Sequence, residues 1–285
     1  MNWRHATGEL ALDRPRILGI VNVTPDSFSD GGRLGSIDDA RRLIDAMVAE
    51  GADVIDIGGE STRPQGATPV SADEELRRVM PVIEASIQDH PSIPVSVDTV
   101  KSSVAARALR AGASIVNDVS GFRLDDAMAA VCAEGGAGVV LMHSRGDVAD
   151  MATFAHANYG ADIVGEIVAE LSARVAGAER AGISRDRIVV DPGIGFSKRG
   201  EHSLTTLGQL RRIGSIGFPV LVGVSRKRFI GEITSVRQPD ARLAGTTGAN
   251  VAALDRGAML FRVHDVRTAR HALDVAWAIK QHDRS

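Results

Sequence analysis

Ser36-Ile-Asp-Asp-Ala-Arg-Arg-Leu-Ile-Asp-Ala-Met-Val-Ala-Glu50, then Gly51, then Asp53-Val-Ile-Asp-Ile-Gly-Gly59, holds the unit from which this chain is built. In the first part Ile37, Ala40, Leu43, Ile44 and Met47 recur at helical spacing. Ser36 is placed to cap that helix, Asp38 and Asp39 suit its positive end, and Gly51 stops it. The second part is short, apolar on both faces and closed by glycine. A strand buried on both sides, as in a parallel sheet, has this composition.

The same alternation runs in both directions from this unit. Apolar, β-branched runs fall at Ile17–Val23, Asp53–Gly59, Val95–Thr99, Ile115–Gly121, Val139–His143, Ile188–Gly193, Val220–Ser225 and Leu260–His264. Helical patterns lie between them: Ser36–Glu50, Ser71–Gln88 with Glu74 as a capping-box partner, and about 101–111, 124–134, 161–181, 201–213, 241–256 and 267–282. Such alternation without a composition break predicts an α/β fold, a single (β/α)8 TIM barrel. An open doubly wound sheet is the alternative, but no G-x-G-x-x-G follows the first strand. Residues 1–285 read as one domain, with a barrel core over about 16–282 and an N-terminal extension over 1–15 in which Trp3 has no evident role. The long segments 24–35, 60–70 and 144–160 follow strands, where a barrel keeps its site.

Bulk properties set outer limits. The 285 residues are 44% hydrophobic and 24% charged with a formal net charge of -3, which argues against a globally basic nucleic-acid binder. Aromatics are only 4%, so the core must be mainly aliphatic. The single cysteine, Cys132, can form no internal disulfide and reads as a small buried apolar residue. No apolar run approaches a membrane span and no secretory core opens the chain, so a cytoplasmic protein is expected. His5, His90, His156, His202, His271 and His282 are scattered without an H-E-x-x-H pattern, which speaks against a zinc cage.

The strands end in polar groups: Asn22, Asp56, Asp98, Asn117-Asp118, His143, Asp191, Ser225-Arg226-Lys227 and Arg262-Val-His264. A barrel gathers these at its carboxyl rim. One strand-end Asp is commonly a cap for the next helix, but every strand carrying such a group predicts a polar ligand. Asp56, Asp98, Asn117 and Asp191 offer acceptors that suit a flat, N–H-rich heterocycle such as an aminopyrimidine. Arg63, Arg226, Lys227, Arg262 and His264 offer cations and donors for phosphate or carboxylate. Arg226-Lys-Arg228 alone is equally a solvated basic run, and Asn22-x-Thr-Pro-Asp-Ser-Phe-Ser-Asp-Gly-Gly reads either as an ordinary turn-rich loop or as one that closes over substrate.

These stretches resemble one family. Gly19-Ile-Val-Asn-Val-Thr-Pro-Asp-Ser-Phe-Ser-Asp-Gly-Gly is similar to the first signature of the dihydropteroate synthases, and Asp56-Ile-Gly-Gly-Glu-Ser-Thr-Arg-Pro to the second. The likeness continues through Ser96-Val-Asp-Thr, Asn117-Asp-Val-Ser-Gly, Val140-Leu-Met-His, Asp191-Pro-Gly-Ile-Gly-Phe, Gly223-Val-Ser-Arg-Lys-Arg-Phe-Ile-Gly and Arg262-Val-His-Asp-Val, in order over nearly the whole chain. The resemblance implies a transferase of folate biosynthesis. It would condense 6-hydroxymethyl-7,8-dihydropterin diphosphate with 4-aminobenzoate to give 7,8-dihydropteroate and diphosphate. It also implies a cytoplasmic homodimer that is a sulfonamide target and uses Mg2+. By the same resemblance Asp56, Asp98, Asn117, Met142, Asp191, Gly223 and Lys227 bind the pterin. Asn22, Arg262 and His264 bind the diphosphate, with Asn22 also serving the metal. Phe28, Thr62, Arg63, Pro64, Phe196 and Ser225 shape the aminobenzoate site, and Asn22, Asp98, Lys227, Arg262 and His264 are the catalytic set.

The implied reaction is dissociative: diphosphate leaves, the electron-rich pterin stabilises the cation, and the amine attacks, so no strong nucleophile is needed. The chain departs from the family pattern in two places. Arg63-Pro-Gln-Gly-Ala is one residue longer, and Ser197 and Ser203 stand where Gly and Asn are expected. Rival readings are a folate-dependent methyltransferase, a non-catalytic pterin-binding paralogue and a Schiff-base aldolase using Lys227. The methyltransferase would not need Ser225-Arg-Lys together with Arg262-Val-His264.

Overall fold

The computed structural model describes residues 1–23, 36–60 and 69–282. Two short strands, β1 (Asn2–His5) and β2 (Gly8–Ala11), form an antiparallel hairpin. Eight more follow: β3 (Arg16–Asn22), β4 (Val54–Gly58), β5 (Val95–Asp98), β6 (Ile115–Asp118), β7 (Gly138–Met142), β8 (Ile188–Asp191), β9 (Leu221–Val222) and β10 (Leu260–Val263). They pair in parallel in the order β8-β7-β6-β5-β4-β3-β10-β9. A parallel bridge between Val190 and Val220, with Val190 N donating to Pro219 O at 3.0 Å, joins the two ends into a ring. This is the expected (β/α)8 barrel.

Alternation within each strand sorts the side chains. Ile17, Val21, Ile55, Ile57, Val97, Val116, Val139, Leu141, Val190, Val222, Phe261 and Val263 face the helices and form the large aliphatic core. Leu18, Val54, Ile115, Val140, Val189, Leu221 and Leu260 form a second cluster inside the ring. Because side chains alternate with period two, the next inward positions towards the carboxyl end are Asp56, Asn117, Met142, Asp191, Gly223 and Arg262. Asn22, Asp98 and His264 share that inward phase. The apolar layer is thus a floor, and the polar strand ends stand above it.

The N-terminal extension closes the opposite end. Trp3 is fully buried in the inner cluster beside Leu12, and its indole Nε1 donates to Arg187 O at 2.9 Å. Ala6 N donates to Ser114 O at 3.1 Å, tying the hairpin turn to the segment that enters β6. The extension that had no evident role is a plug for the amino end of the barrel.

The helices follow the expected caps with some changes. Ser36 accepts from Asp39 N and Ser71 from Glu74 N, both at 3.2 Å. The Glu74 carboxylate does not complete a capping box but pairs with Arg78 at 2.7 Å and with Arg77. The helix expected over 124–134 begins only at Met128, because Asp125 is held in a turn, accepting from Ser102 N at 2.7 Å and Ala127 N at 3.0 Å. The one expected over 201–213 is two, Gly200–Gly208 and Leu210–Gly214, and Arg228–Thr234 is an unexpected short helix.

Candidate active site

Four strands bring Asp56, Asp98, Asn117 and Arg262 into direct contact. Arg262 Nε donates to Asp56 Oδ2 at 2.6 Å and Nη2 to Asp98 Oδ2 at 2.7 Å. Asn117 Nδ2 donates to the same Asp56 oxygen at 3.2 Å. Burying an ionised carboxylate costs several kcal/mol unless a charge and hydrogen bonds compensate, and here one guanidinium spans two. The other Asp56 oxygen, Oδ1, is fully buried with no hydrogen-bond partner among the described residues. An unsatisfied acceptor in this place is ready for a ligand donor. Arg262 uses two of its five N–H groups on these acids, leaving the remaining edge of the fork for an anion.

Electrostatics couple this cluster to Asp191 and Lys227. Burial pushes the Asp98 carboxyl up to about 7 against the pull of Arg262, with Asp56 adding to the rise. Burial likewise lifts Asp191 to about 6, opposed by Gly193 N, which donates to Asp191 Oδ1 at 2.7 Å, and by Lys227. Desolvation and the neighbouring Arg262 bring the Lys227 ammonium down to about 8, while Asp191 and Asp98 hold it up. Its Nζ sits 3.9 Å from the centre of the Phe196 ring, a cation–π contact. Burial opposes the charge on Arg262, but Asp56 and Asp98 more than offset it and raise the guanidinium above its ordinary value.

Glycine backbone makes room for these groups. Gly193, at φ +66°, lies so close to the His143 carbonyl that a Cβ there would collide with it. Gly195, at φ +80°, lets the Lys227 stem pass where a Cβ would come within 3.2 Å of Cδ. Gly58, between Asn22 and Asp98 in the strand register, keeps the mouth open beside Asp98.

The remaining candidates distribute as follows. Ser225 Oγ lies 2.9 Å from His264 Nδ1, at the end of β10. Met142 and Phe196 are buried in a small apolar cluster with Val100, Val119, Met151 and Ala152. Gly223 continues β9, with the Arg262 Cβ nearby, and Asn22 ends β3 half-buried. Phe28, Thr62, Arg63 and Pro64 lie outside the described residues.

Three expected rim groups turn out otherwise. Arg226, at φ 60°, ion-pairs with Asp240 and gives its N–H to Thr246 Oγ1 at 3.1 Å, so it is spent on the outer loop. Asp118 has outward phase and binds its own turn, accepting from Ser120 N at 2.6 Å and Phe122 N at 3.1 Å. His143 is also outward and fully buried: Nδ1 is 2.9 Å from Lys198 Nζ and Nε2 is 3.1 Å from Glu170 Oε2. Sequence reasoning overlooked Lys198, which is 1% exposed and has no carboxylate in hydrogen-bond contact among the described residues. A lysine in a glycine-rich loop gives no sign of such burial.

Among the described residues no group of three or more His, Cys, Asp or Glu could hold a metal, and no helix is long and apolar enough to cross a membrane. The chain matches the family of pterin-binding enzymes over residues 18–264. It is 44% identical over 266 residues to the dihydropteroate synthase of Synechocystis sp., covering 93% of this chain and 90% of that protein. A Xanthomonas albilineans dihydropteroate synthase solved with 4-aminobenzoic acid is 46% identical, with a TM-score of 0.88 and 95% of each chain covered. The same organism's enzyme in complex with 7,8-dihydropteroate superposes with a TM-score of 0.87 at 41% identity, covering 98% of this chain and 99% of that one.

Proposed function

This chain belongs to the dihydropteroate synthases of the pterin-binding enzyme family, and on that premise we propose how its barrel mouth carries out the reaction. The activity is a transferase step of folate biosynthesis: 6-hydroxymethyl-7,8-dihydropterin diphosphate and 4-aminobenzoate give 7,8-dihydropteroate and diphosphate. The observation that carries the proposed roles is the inward acidic layer bridged by Arg262, with Asp56 Oδ1 left unsatisfied among the described residues.

In this reading the pterin lies flat above the aliphatic floor, against Met142 and Gly223. Asp191, Asp98 and Asp56 accept its ring and amino N–H groups, while Asn117 and Lys227 serve its acceptors. Arg262 has two tasks. It hydrogen-bonds both Asp56 and Asp98 and offsets part of the burial that raises Asp98, and it turns its remaining donors to the departing diphosphate. His264, aligned by Ser225, and Asn22 complete the anion side. As diphosphate leaves, positive charge develops on the pterin methylene and is shared with the ring, whose N–H groups become more acidic. The carboxylates therefore bind the transition state more tightly than the ground state. Phe196 and Ser225, with Phe28, Thr62, Arg63 and Pro64, place 4-aminobenzoate so that its amine attacks the methylene and then loses a proton. Sulfonamides compete for that place.

Mg2+, when bound, supplies positive charge that favours diphosphate departure. Asn22 offers an amide oxygen next to the opening beside Gly58. This fits an ion that prefers water and phosphate oxygens and needs few protein ligands. The same reading takes residues 1–285 as one cytoplasmic domain working as a homodimer. Val275 and Ile279, exposed one turn apart on Val266–His282, support it as apolar surface that a second copy would cover. The test is diphosphate release by the purified chain with Mg2+, leaving out each substrate in turn. Sustained, multiple-turnover release only with both present is expected, whereas tight pterin binding without turnover would point to a paralogue.

A further inference from the structure

The loop after β8 is fastened from below by two buried residues that do not reach the mouth. Ser197 adopts a left-handed backbone, φ 50°, that costs a non-glycine residue energy, and its side chain supplies a compensation. Its Oγ accepts from Arg145 N at 3.0 Å and donates towards Arg145 O at 2.7 Å and Met151 O at 3.0 Å. Its own N–H gives a further bond to Met151 O at 2.6 Å. One hydroxyl thereby ties the β8 loop to two points of the β7 loop. Next to it, Lys198 Nζ donates back to Gly193 O at 3.2 Å and Phe196 O at 3.1 Å and meets His143 Nδ1 at 2.9 Å. Both side chains are essentially inaccessible, with Ser197 0% and Lys198 1% exposed.

These bonds converge on Phe196. Its carbonyl is held by Lys198, its neighbour Ser197 is stapled to Met151, and its ring packs with Met142 and Met151 and lies against Lys227. We propose that Ser197 and Lys198 form a positioning latch that holds the Phe196 ring beneath Lys227 and so sets affinity for the second, aromatic amine substrate. The latch rests on the functional reading above, in which Phe196 lines the aminobenzoate side. It gives the serine at the position where this chain departs from the family pattern a task that glycine could not perform.

The test uses the full-length protein as Ser197→Ala, Lys198→Met, Phe196→Ala and the Phe196→Ala/Ser197→Ala double variant. Steady-state kinetics give KM for 4-aminobenzoate and kcat, and calorimetry gives pterin affinity. Ser197→Ala is expected to raise KM for 4-aminobenzoate about fivefold, the scale of one lost buried hydrogen bond, with kcat and pterin Kd within about twofold. Lys198→Met moves the same constant further. Should that variant fail to fold, Ser197→Ala and the double variant still decide. If the latch acts through the ring, adding Ser197→Ala to Phe196→Ala changes KM by less than about twofold. A folded Ser197→Ala with wild-type KM overturns the latch, as does an undiminished effect in the Phe196→Ala background. Wild-type protein that releases no diphosphate with both substrates overturns the functional reading and the latch with it. Latch failure alone leaves wild-type turnover intact.

Discussion

Replacing Arg262 by alanine removes a cation that bridges two inward carboxylates. Asp56 is fully buried and, among the described residues, keeps only the 3.2 Å bond from Asn117, and Asp98 loses its 2.7 Å ion pair. Stranding a buried carboxylate in this way costs about 3–5 kcal/mol, and the lower end applies because Arg262 itself is 21% exposed on its side chain. The loss of stability is expected to depend on pH in a defined sense. Arg262 is what pulls Asp98 down, so without it Asp98 rises beyond about 7 and protonates near neutrality. Once Asp98 is neutral the missing cation matters less, so destabilisation of about 3 kcal/mol at pH 8 should shrink towards pH 5. Activity falls on two counts: the carboxylates lose acceptor strength, and diphosphate loses a donor worth about 2–4 kcal/mol in the transition state. Urea unfolding at pH 5 and pH 8, with kcat/KM for the pterin substrate, separates these effects. A variant within about 1 kcal/mol of wild type at pH 8, with unchanged steady-state rates, would refute both roles.

Two further outcomes follow from the same geometry. The raised Asp98 and Asp191 are charged, and so able to accept ring N–H bonds, only above about 7 and about 6, whereas Lys227 loses its proton as pH rises through about 8. Initial rates should therefore give kcat/KM a maximum between about 7 and 8, and a flat profile from pH 5 to 9 would exclude these groups. In linkage terms, the raised carboxylates contribute stability that is full below their ordinary range and lost as pH rises through about 6–7. Trp3→Ala removes a fully buried indole from the amino end of the barrel and should cost about 3–5 kcal/mol in a urea melt. Both KM values of the folded fraction should stay unchanged, and a large shift in either would mean the plug reaches the site.

Much of this architecture was legible because the barrel repeats one unit. Runs such as Asp53–Gly59 carried the strands, and the polar residues after them marked the rim. What they did not carry was phase. Asn117 and Asp118 are adjacent in the sequence, yet one faces the mouth and the other closes a turn. Met142 and His143 divide in the same way, with the histidine placed against Lys198 and Glu170 behind the strand. A period-two count from Leu18, Val54, Ile115, Val140, Val189, Leu221 and Leu260 would have separated them. Arg226 escapes even that rule, because its direction is set by a left-handed turn and by Asp240 in a distant segment. The plugging role of Trp3 was hidden for a similar reason: a hairpin of ordinary residues becomes a lid only against a ring that is already closed.

The arrangement also bears on why acids and cations share so small a space. Alone, Asp98 would meet burial by taking up a proton, and Lys227 by losing one. Arg262, which keeps its charge throughout the working range, stabilises the anionic acids from within the site. It does so without filling their remaining acceptor capacity, since Asp56 Oδ1 stays unsatisfied among the described residues. In the proposed reading, a heterocycle with N–H donors completes what the protein leaves open. Once it does so, the acids compete less for the guanidinium, whose attraction for diphosphate rises. On this argument the pterin ring and diphosphate bind cooperatively through one side chain. A neutral pterin lacking the diphosphate should then strengthen inorganic diphosphate binding to wild-type protein but not to Arg262→Ala, and calorimetry that finds no such coupling in the wild type would sink the idea.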